Sequence, residues 1–190
     1  MRFTLTEFPE GMEVDESLGA IKWTPKKSLT DMQRISVMVS DGYTKDEQIY
    51  EVYSNHLPTI ISNTPRMALV GELFKYQVRV EDLNEGANLK YNLIKGPHGM
   101  QLDKSGKILW VPKAAQINYN DFEVSVTDGY GTDIQSGRIF INNPPSIIST
   151  PKPVGLTGHT WRYKLTTEDL NGDRVTYRAC LLYTSDAADE

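Results

Sequence analysis

Cysteine is almost absent from this chain. Cys180 is the only one in 190 residues, so no disulfide framework and no paired-thiol chemistry can be drawn from it. Long apolar runs are missing too, and none approaches the ~20 residues that cross a bilayer as a helix. No strong charge of one sign is present. The formal charge is −5, which gives neither the basic footprint of a nucleic-acid binder nor an acidic disordered tail. Helical periodicity is lacking throughout, and no secretory or lipidation motif is visible. Catalytic histidine chemistry has little to work with: His56, His98 and His159 are the only three, and no serine or cysteine arrangement recurs with them.

What the chain does have is a repeat at an offset of 87 residues. Pro58-Thr59-Ile60-Ile61-Ser62 returns as Pro145-Ser146-Ile147-Ile148-Ser149. Trp23 returns as Trp110, Asp41-Gly42-Tyr43 as Asp128-Gly129-Tyr130, and Glu81-Asp82-Leu83-Asn84 as Glu168-Asp169-Leu170-Asn171. A period of this length is a whole domain rather than a solenoid turn. The expected organisation is the C-terminal part of a first repeat over 1–57, a complete repeat over 58–144, and the N-terminal part of a third over 145–179. Met1 aligns with Leu89, which places the chain start inside a domain. Residues 180–190 have no counterpart in the complete copy and read like the translation of a transposase-type sequencing adapter. They are set aside as a scar, and without Asp186, Asp189 and Glu190 the balance is 20 basic to 22 acidic residues.

Within the complete copy the hydrophobic period is two, which denotes strands. Phe74, Tyr76, Val78 and Val80 alternate with polar neighbours, as do Leu89, Tyr91 and Leu93. Ile108 and Trp110 follow, then Phe122, Val124 and Val126, then a last strand over about 138–141. Trp161, Tyr163, Leu165 and Thr167 make the matching stripe in the third copy, and Ile35, Val37 and Val39 in the first. Turns fall at Asn84-Glu85-Gly86, Gly96-Pro97-His98-Gly99, Asp103-Lys104-Ser105-Gly106 and Asp128-Gly129. Seven short strands in under 90 residues predict an all-β, Greek-key β-sandwich with Trp110 and Met100 in its core. Pro112 is expected to end the Trp110 strand by removing a backbone donor. The short proline-containing linkers, Asn55-His56-Leu57-Pro58 and Asn142-Asn143-Pro144-Pro145, predict a semi-rigid rod of domains.

The stretch Pro97-x-Gly99-Met100-x-Leu102-Asp103, then Gly106-x-Ile108-x-Trp110-x-Pro112, then Val124-x-Val126-x-Asp128-Gly129 resembles the cadherin-like, dystroglycan-type Ig-like repeats of bacterial surface and secreted proteins. The resemblance extends from Arg2 to Arg178. It implies tandem Ig-like sandwiches, one complete and two partial, in an extracellular, secreted or cell-surface protein. It also implies a non-enzymatic adhesive or spacer role, with neighbouring repeats of the same chain and protein or glycan surfaces as partners. No nucleic acid and no membrane insertion of this segment are expected.

The resemblance to cadherins further suggests weak interdomain Ca²⁺ sites. Asp82, Asn84 and Asp128 would serve one junction, and Asp169, Asn171 and Asp173 the next. Ca²⁺ takes six to eight oxygens, and so few carboxylates place any site in the ~10⁻⁴–10⁻³ M range. The alternative role for the same residues is turn formation through hydrogen bonds to their own backbone. A carbohydrate-binding accessory module of a secreted enzyme is the rival function, suggested by Tyr43, Tyr119 and Tyr130, whose ring faces suit sugar stacking.

Overall fold

The computed structural model describes residues 1–26, 29 and 31–179. The 180–190 segment, with Cys180, lies outside the described residues. The described chain is built almost wholly of strands, and its one helical element is a 3₁₀ turn at Ala114–Gln116.

Residues 58–144 form a two-sheet sandwich. One sheet runs in the order Lys90–Lys95, Asn118–Thr127, Thr132–Asn142, Met67–Leu69. Its last pair is parallel, with Phe140 opposite Met67. The other sheet orders Gln101–Leu102, Lys107–Trp110 and Phe74–Gln77. The opening strand changes sheets. Thr59–Ile60 pairs with Val80–Glu81, and Met67–Leu69 crosses to Thr132–Asn142. Pro65 lies between these two segments and cannot donate to either ladder.

Alternation along these strands produces the core. Phe74, Tyr76, Val78, Ile108, Trp110, Phe122, Val124, Ile139 and Ile141 are buried in one cluster, with Met100 beside them. Trp110 is fully buried, stands edge-on to Phe74 at 6.3 Å, and donates its indole N–H to His98 O at 3.3 Å. Tyr76 stands edge-on to Phe122 at 6.2 Å, and its hydroxyl donates to Gln135 Oε1 at 2.6 Å. Such pairs add to the burial of large aromatic area, the dominant stabilising term in a sandwich. The strand ends at Trp110, just before Pro112, as expected; Pro112 is buried, and its carbonyl accepts from Gly71 N at 2.8 Å.

The repeat is written in contacts as well as residues. Gly106 has φ +80°, and a Cβ there would meet the Tyr91 ring at 2.7 Å. Gly19 has φ +71°, and a Cβ would meet the Phe3 ring at 3.0 Å. Both turns need glycine for backbone conformation and for space. Trp23 donates to Glu10 O as Trp110 does to His98 O. Tyr163 bonds Ser149 as Tyr76 bonds Ser62.

Three strands differ from the sequence expectation. The stripe from Phe74 to Val80 is two strands, not one. Val78 N donates to Gly106 O, and Arg79 N to Ser62 Oγ, so the backbone leaves one ladder before joining another. The last strand spans Thr132–Asn142, longer than 138–141, because all ten residues of Asn118–Thr127 pair with it. Of the third copy's stripe from Trp161 to Thr167, only Thr167 lies in a strand among the described residues, Thr167–Glu168, paired with Ser146–Ile147. Residues 161–166 carry the alternating pattern without a ladder. Phe74–Gln77 has Lys107–Trp110 beside it, and 161–164 has no such neighbour among the described residues.

Candidate functional site

The candidate residues gather at the two junctions between copies. The long pair Asn118–Thr127 and Thr132–Asn142 runs from one junction to the other. Its hairpin end, around Asp128, meets the linker 54–58. Its open end, at Asn118 and Ile141, meets the loop of the third copy.

At the first junction Asn84 is buried and reaches across to the linker. Its Oδ1 accepts from His56 N at 2.5 Å, and its Nδ2 donates to Ser54 O at 3.0 Å. One side-chain amide thus pairs with two linker residues as a neighbouring strand would. Asp82 prepares this amide: its Oδ1 accepts from Asn84 N at 2.9 Å. Asp82 Oδ2 is buried and has no hydrogen-bond partner among the described residues.

Asp128 holds the same junction from the hairpin. Its Oδ1 accepts from Tyr130 N at 2.8 Å and Gly131 N at 2.7 Å, closing the turn. Its Oδ2 accepts from Asn55 Nδ2 of the linker at 2.6 Å. Apolar contact adds to this. The Tyr53 and Tyr130 rings lie 6.0 Å apart, and Leu57 covers Gly131 so closely that a Cβ there would meet its methyl. Asp133 Oδ2 takes Ile60 N at 2.7 Å just beyond.

The second junction repeats the clamp. Asn171 Oδ1 accepts from Asn143 N at 2.6 Å, and Nδ2 donates to Ile141 O at 3.0 Å. Asn143 and Ile141 occupy the register of His56 and Ser54. Asn171 Nδ2 also reaches Asn118 Oδ1 at 3.3 Å. Asp169 Oδ1 accepts from Asn171 N at 2.9 Å and Asp173 N at 3.2 Å.

Three segments therefore meet at the first junction: the Asn84 loop, the Asp128 hairpin and the linker. What converges there is mostly occupied by N–H donors. Among the described residues no group of three or more His, Cys, Asp or Glu side chains lies close enough to hold a metal ion. Asp82 Oδ2 is the one buried side-chain polar atom without a partner among the described residues, far below the six to eight oxygens that Ca²⁺ takes. The residues present fit an amide clamp better than a calcium cage. Sequence reading passed over Asn55 and Asp133, although Asn55 stands in the linker that it singled out.

Burial of the Asp128 carboxylate pushes its pKa up, but the Asn55 amide and the Gly131 and Tyr130 N–H groups outweigh this and hold it below the ordinary range. A depressed folded-state pKa contributes stability that is present above the ordinary carboxylate value and lost as pH falls through the depressed one. Acid titration followed at the Tyr130 and Gly131 amides is expected to show a transition below about pH 4. A transition at or above that value would mean that these bonds do not hold the charge.

The histidines engage separate partners among the described residues. His56 Nε2 bonds Leu29 O, and His159 Nδ1 bonds Thr157 O within its own turn. Tyr43 is almost fully exposed, and Tyr119 stands edge-on to Phe140 with the Arg138 guanidinium 5.8 Å from its ring centre. Among the described residues no helix is long and apolar enough to cross a membrane.

Residues 57–142 match the family model described as "Putative Ig domain". No curated protein matches the sequence. Among solved structures, extracellular domains 3–5 of Drosophila OTK align with 74% of this chain and 51% of their own, at 6% identity and a TM-score of 0.54. That identity speaks for the fold alone. Human protocadherin-24 EC1-2 aligns with 75% of this chain and 82% of its own, at 15% identity and a TM-score of 0.40. An endo-fucoidan hydrolase of glycoside hydrolase family 107 aligns at 17% identity and a TM-score of 0.38, with 74% of this chain covered. The chain spans only 23% of that hydrolase. The sandwich at the centre of this chain, residues 57–142, is similar to the Ig-like domain whose model it matches, and its fold is Ig-like.

Proposed function

We propose that this chain is a non-enzymatic spacer segment of a larger extracellular protein, an adhesive or positioning stalk whose junctions are stiffened by side-chain amides. The observation that carries this reading is the repetition of the clamp, Asn84 on Ser54 and His56, then Asn171 on Ile141 and Asn143. A side chain that grips the preceding linker at the same register twice restricts the angle between neighbours. Partner contacts would run through exposed protein- or glycan-facing surface, and Tyr43 is the most open aromatic for it.

Calcium is the second reading of the same junctions, favoured by the unpartnered Asp82 Oδ2. Small-angle scattering and thermal melts in millimolar Ca²⁺ and in chelator separate the two. The amide clamp predicts the same particle dimensions and the same Tm in both. Extension and a raised Tm with Ca²⁺ would replace it with a calcium-stiffened junction, since a ligand of the native state must stabilise it.

A further inference from the structure

The two clamp asparagines stand in different local sequences. The first clamp reads Asn84-Glu85-Gly86, and the second Asn171-Gly172-Asp173. Asn171 is the only asparagine in the chain followed directly by glycine. The left-handed glycine of the loop has moved one position towards the clamp: Gly86 has φ +74°, and Gly172 has φ +76°.

That shift has a chemical consequence. The side-chain Cγ of an asparagine is open to attack by the main-chain nitrogen of the next residue, which closes a five-membered succinimide. A side chain on that next residue shields its nitrogen, and glycine has none. Glu85 therefore shields Asn84, and Gly172 leaves Asn171 unshielded. In the closed junction, however, both reacting groups are engaged. The Asn171 amide holds Asn143 N through Oδ1 and Ile141 O through Nδ2. The Gly172 N–H donates to Asp169 O at 3.2 Å. Attack needs this nitrogen freed of its proton and the amide turned back onto its own backbone, so the clamp must first open.

We propose that Asn171-Gly172 is a site of spontaneous deamidation, reached through open states of the second junction, whose product keeps that junction loose. The proposal rests on the reading of Asn171 as a junction clamp. A bond forms between Gly172 N and Asn171 Cγ, the Cγ–Nδ2 bond breaks, and the Gly172 proton leaves with that nitrogen as ammonia. Water then opens the succinimide at either carbonyl and leaves aspartate or isoaspartate at 171. Nothing is oxidised or reduced, and water is the only co-reactant.

Either product replaces an amide with a carboxylate, which accepts hydrogen bonds and donates none. Ile141 O and Asn118 Oδ1 lose the donor that Asn171 Nδ2 gave them. A negative charge is added to the loop that already holds Asp169 and Asp173, and like charges so placed disfavour the closed form. Isoaspartate also lengthens the main chain by one methylene inside the turn. The amide is not restored once ammonia has left, so each conversion is permanent. The first junction, with Glu85 after its clamp, is exempt. The two junctions are built alike and age differently.

The test is to hold the purified protein at mildly alkaline pH, in native buffer and in enough urea to unfold it. Peptides containing Asn84 and Asn171 are followed by mass spectrometry. Asn171 is expected to convert in native buffer while Asn84 stays intact. In urea Asn171 should convert about tenfold faster or more, because opening of the junction no longer limits it. Main-chain exchange at Asn143 should quicken roughly ten- to a hundredfold in the converted fraction. Gly172→Glu combined with Asp173→Gly gives the second clamp the loop sequence of the first, and it should keep Asn171 intact in native buffer. Conversion in urea with none in native buffer would overturn the proposal and leave the clamp standing. Equal rates in the two conditions would remove the clamp as well. Unchanged Asn143 exchange after conversion, or undiminished conversion in the doubly substituted loop, would also overturn the proposal.

Discussion

Trp110→Ala is expected to lower stability by about 3–5 kcal/mol, the cost of emptying a large aromatic site in a packed core. Trp110 is fully buried between the sheets, touches Phe74 edge-on, and ties its indole N–H to His98 O. Backbone on both sides is held by the ladder to Phe74–Gln77 and by the buried Pro112, so the site cannot collapse to fill the space. With whole-domain stabilities of about 5–15 kcal/mol, this one change brings the central sandwich near its unfolding limit. Trp23→Ala is the internal comparison. It removes the same residue at the same register, with the same indole bond to a turn carbonyl. Trp23 is only half-buried, so its loss should cost distinctly less. Denaturant melts of the two variants decide the point. Equal losses would show that both copies are packed alike, contrary to their burial.

Asn84→Ala should loosen the first junction while leaving the sandwich folded. The change strands His56 N–H and Ser54 O, which costs about 1–3 kcal/mol for buried groups left without partners. The cost falls on the opening of the linker, because both of these bonds run from Asn84 to linker residues. Exchange of the His56 amide should therefore quicken by roughly ten- to a hundredfold, and scattering should show a broader distribution of lengths. Asn84→Asp keeps an acceptor for His56 N–H but loses the donor to Ser54, so its effect should fall between wild type and alanine. His56 exchange unchanged in Asn84→Ala would remove the clamp as the stiffening element.

The legible and illegible parts of this chain separate by physical cause. Trp110, Val124 and Val126 are buried as their alternation implies, because a strand with one wet face must bury every second side chain. The break between Phe74–Gln77 and Val80–Glu81 is not visible in that pattern. It depends on Gly106 O and Ser62 Oγ arriving to accept from Val78 and Arg79, and both come from distant sequence. The stripe at Trp161 shows the same limit from the other side. Its alternation is as good as that of Phe74, yet it forms no ladder at 161–166, since a strand needs a neighbour to complete its hydrogen bonds.

The junction residues make the sharpest case. Asp82, Asn84 and Asp128 carry oxygens in loops at one end of a sandwich, a chemistry that suits a cation and an N–H donor equally. Sequence alone determined that these residues recur, that they border the linkers, and that the chain is a run of all-β repeats. Only the tertiary structure decided that Asn84 and Asn171 spend their amides on the linker backbone and that Asn55 engages Asp128. The reason is that a side chain's type sets what it can bond, and its distance to a partner sets what it does bond. The partners here lie 28 and 73 residues away along the chain.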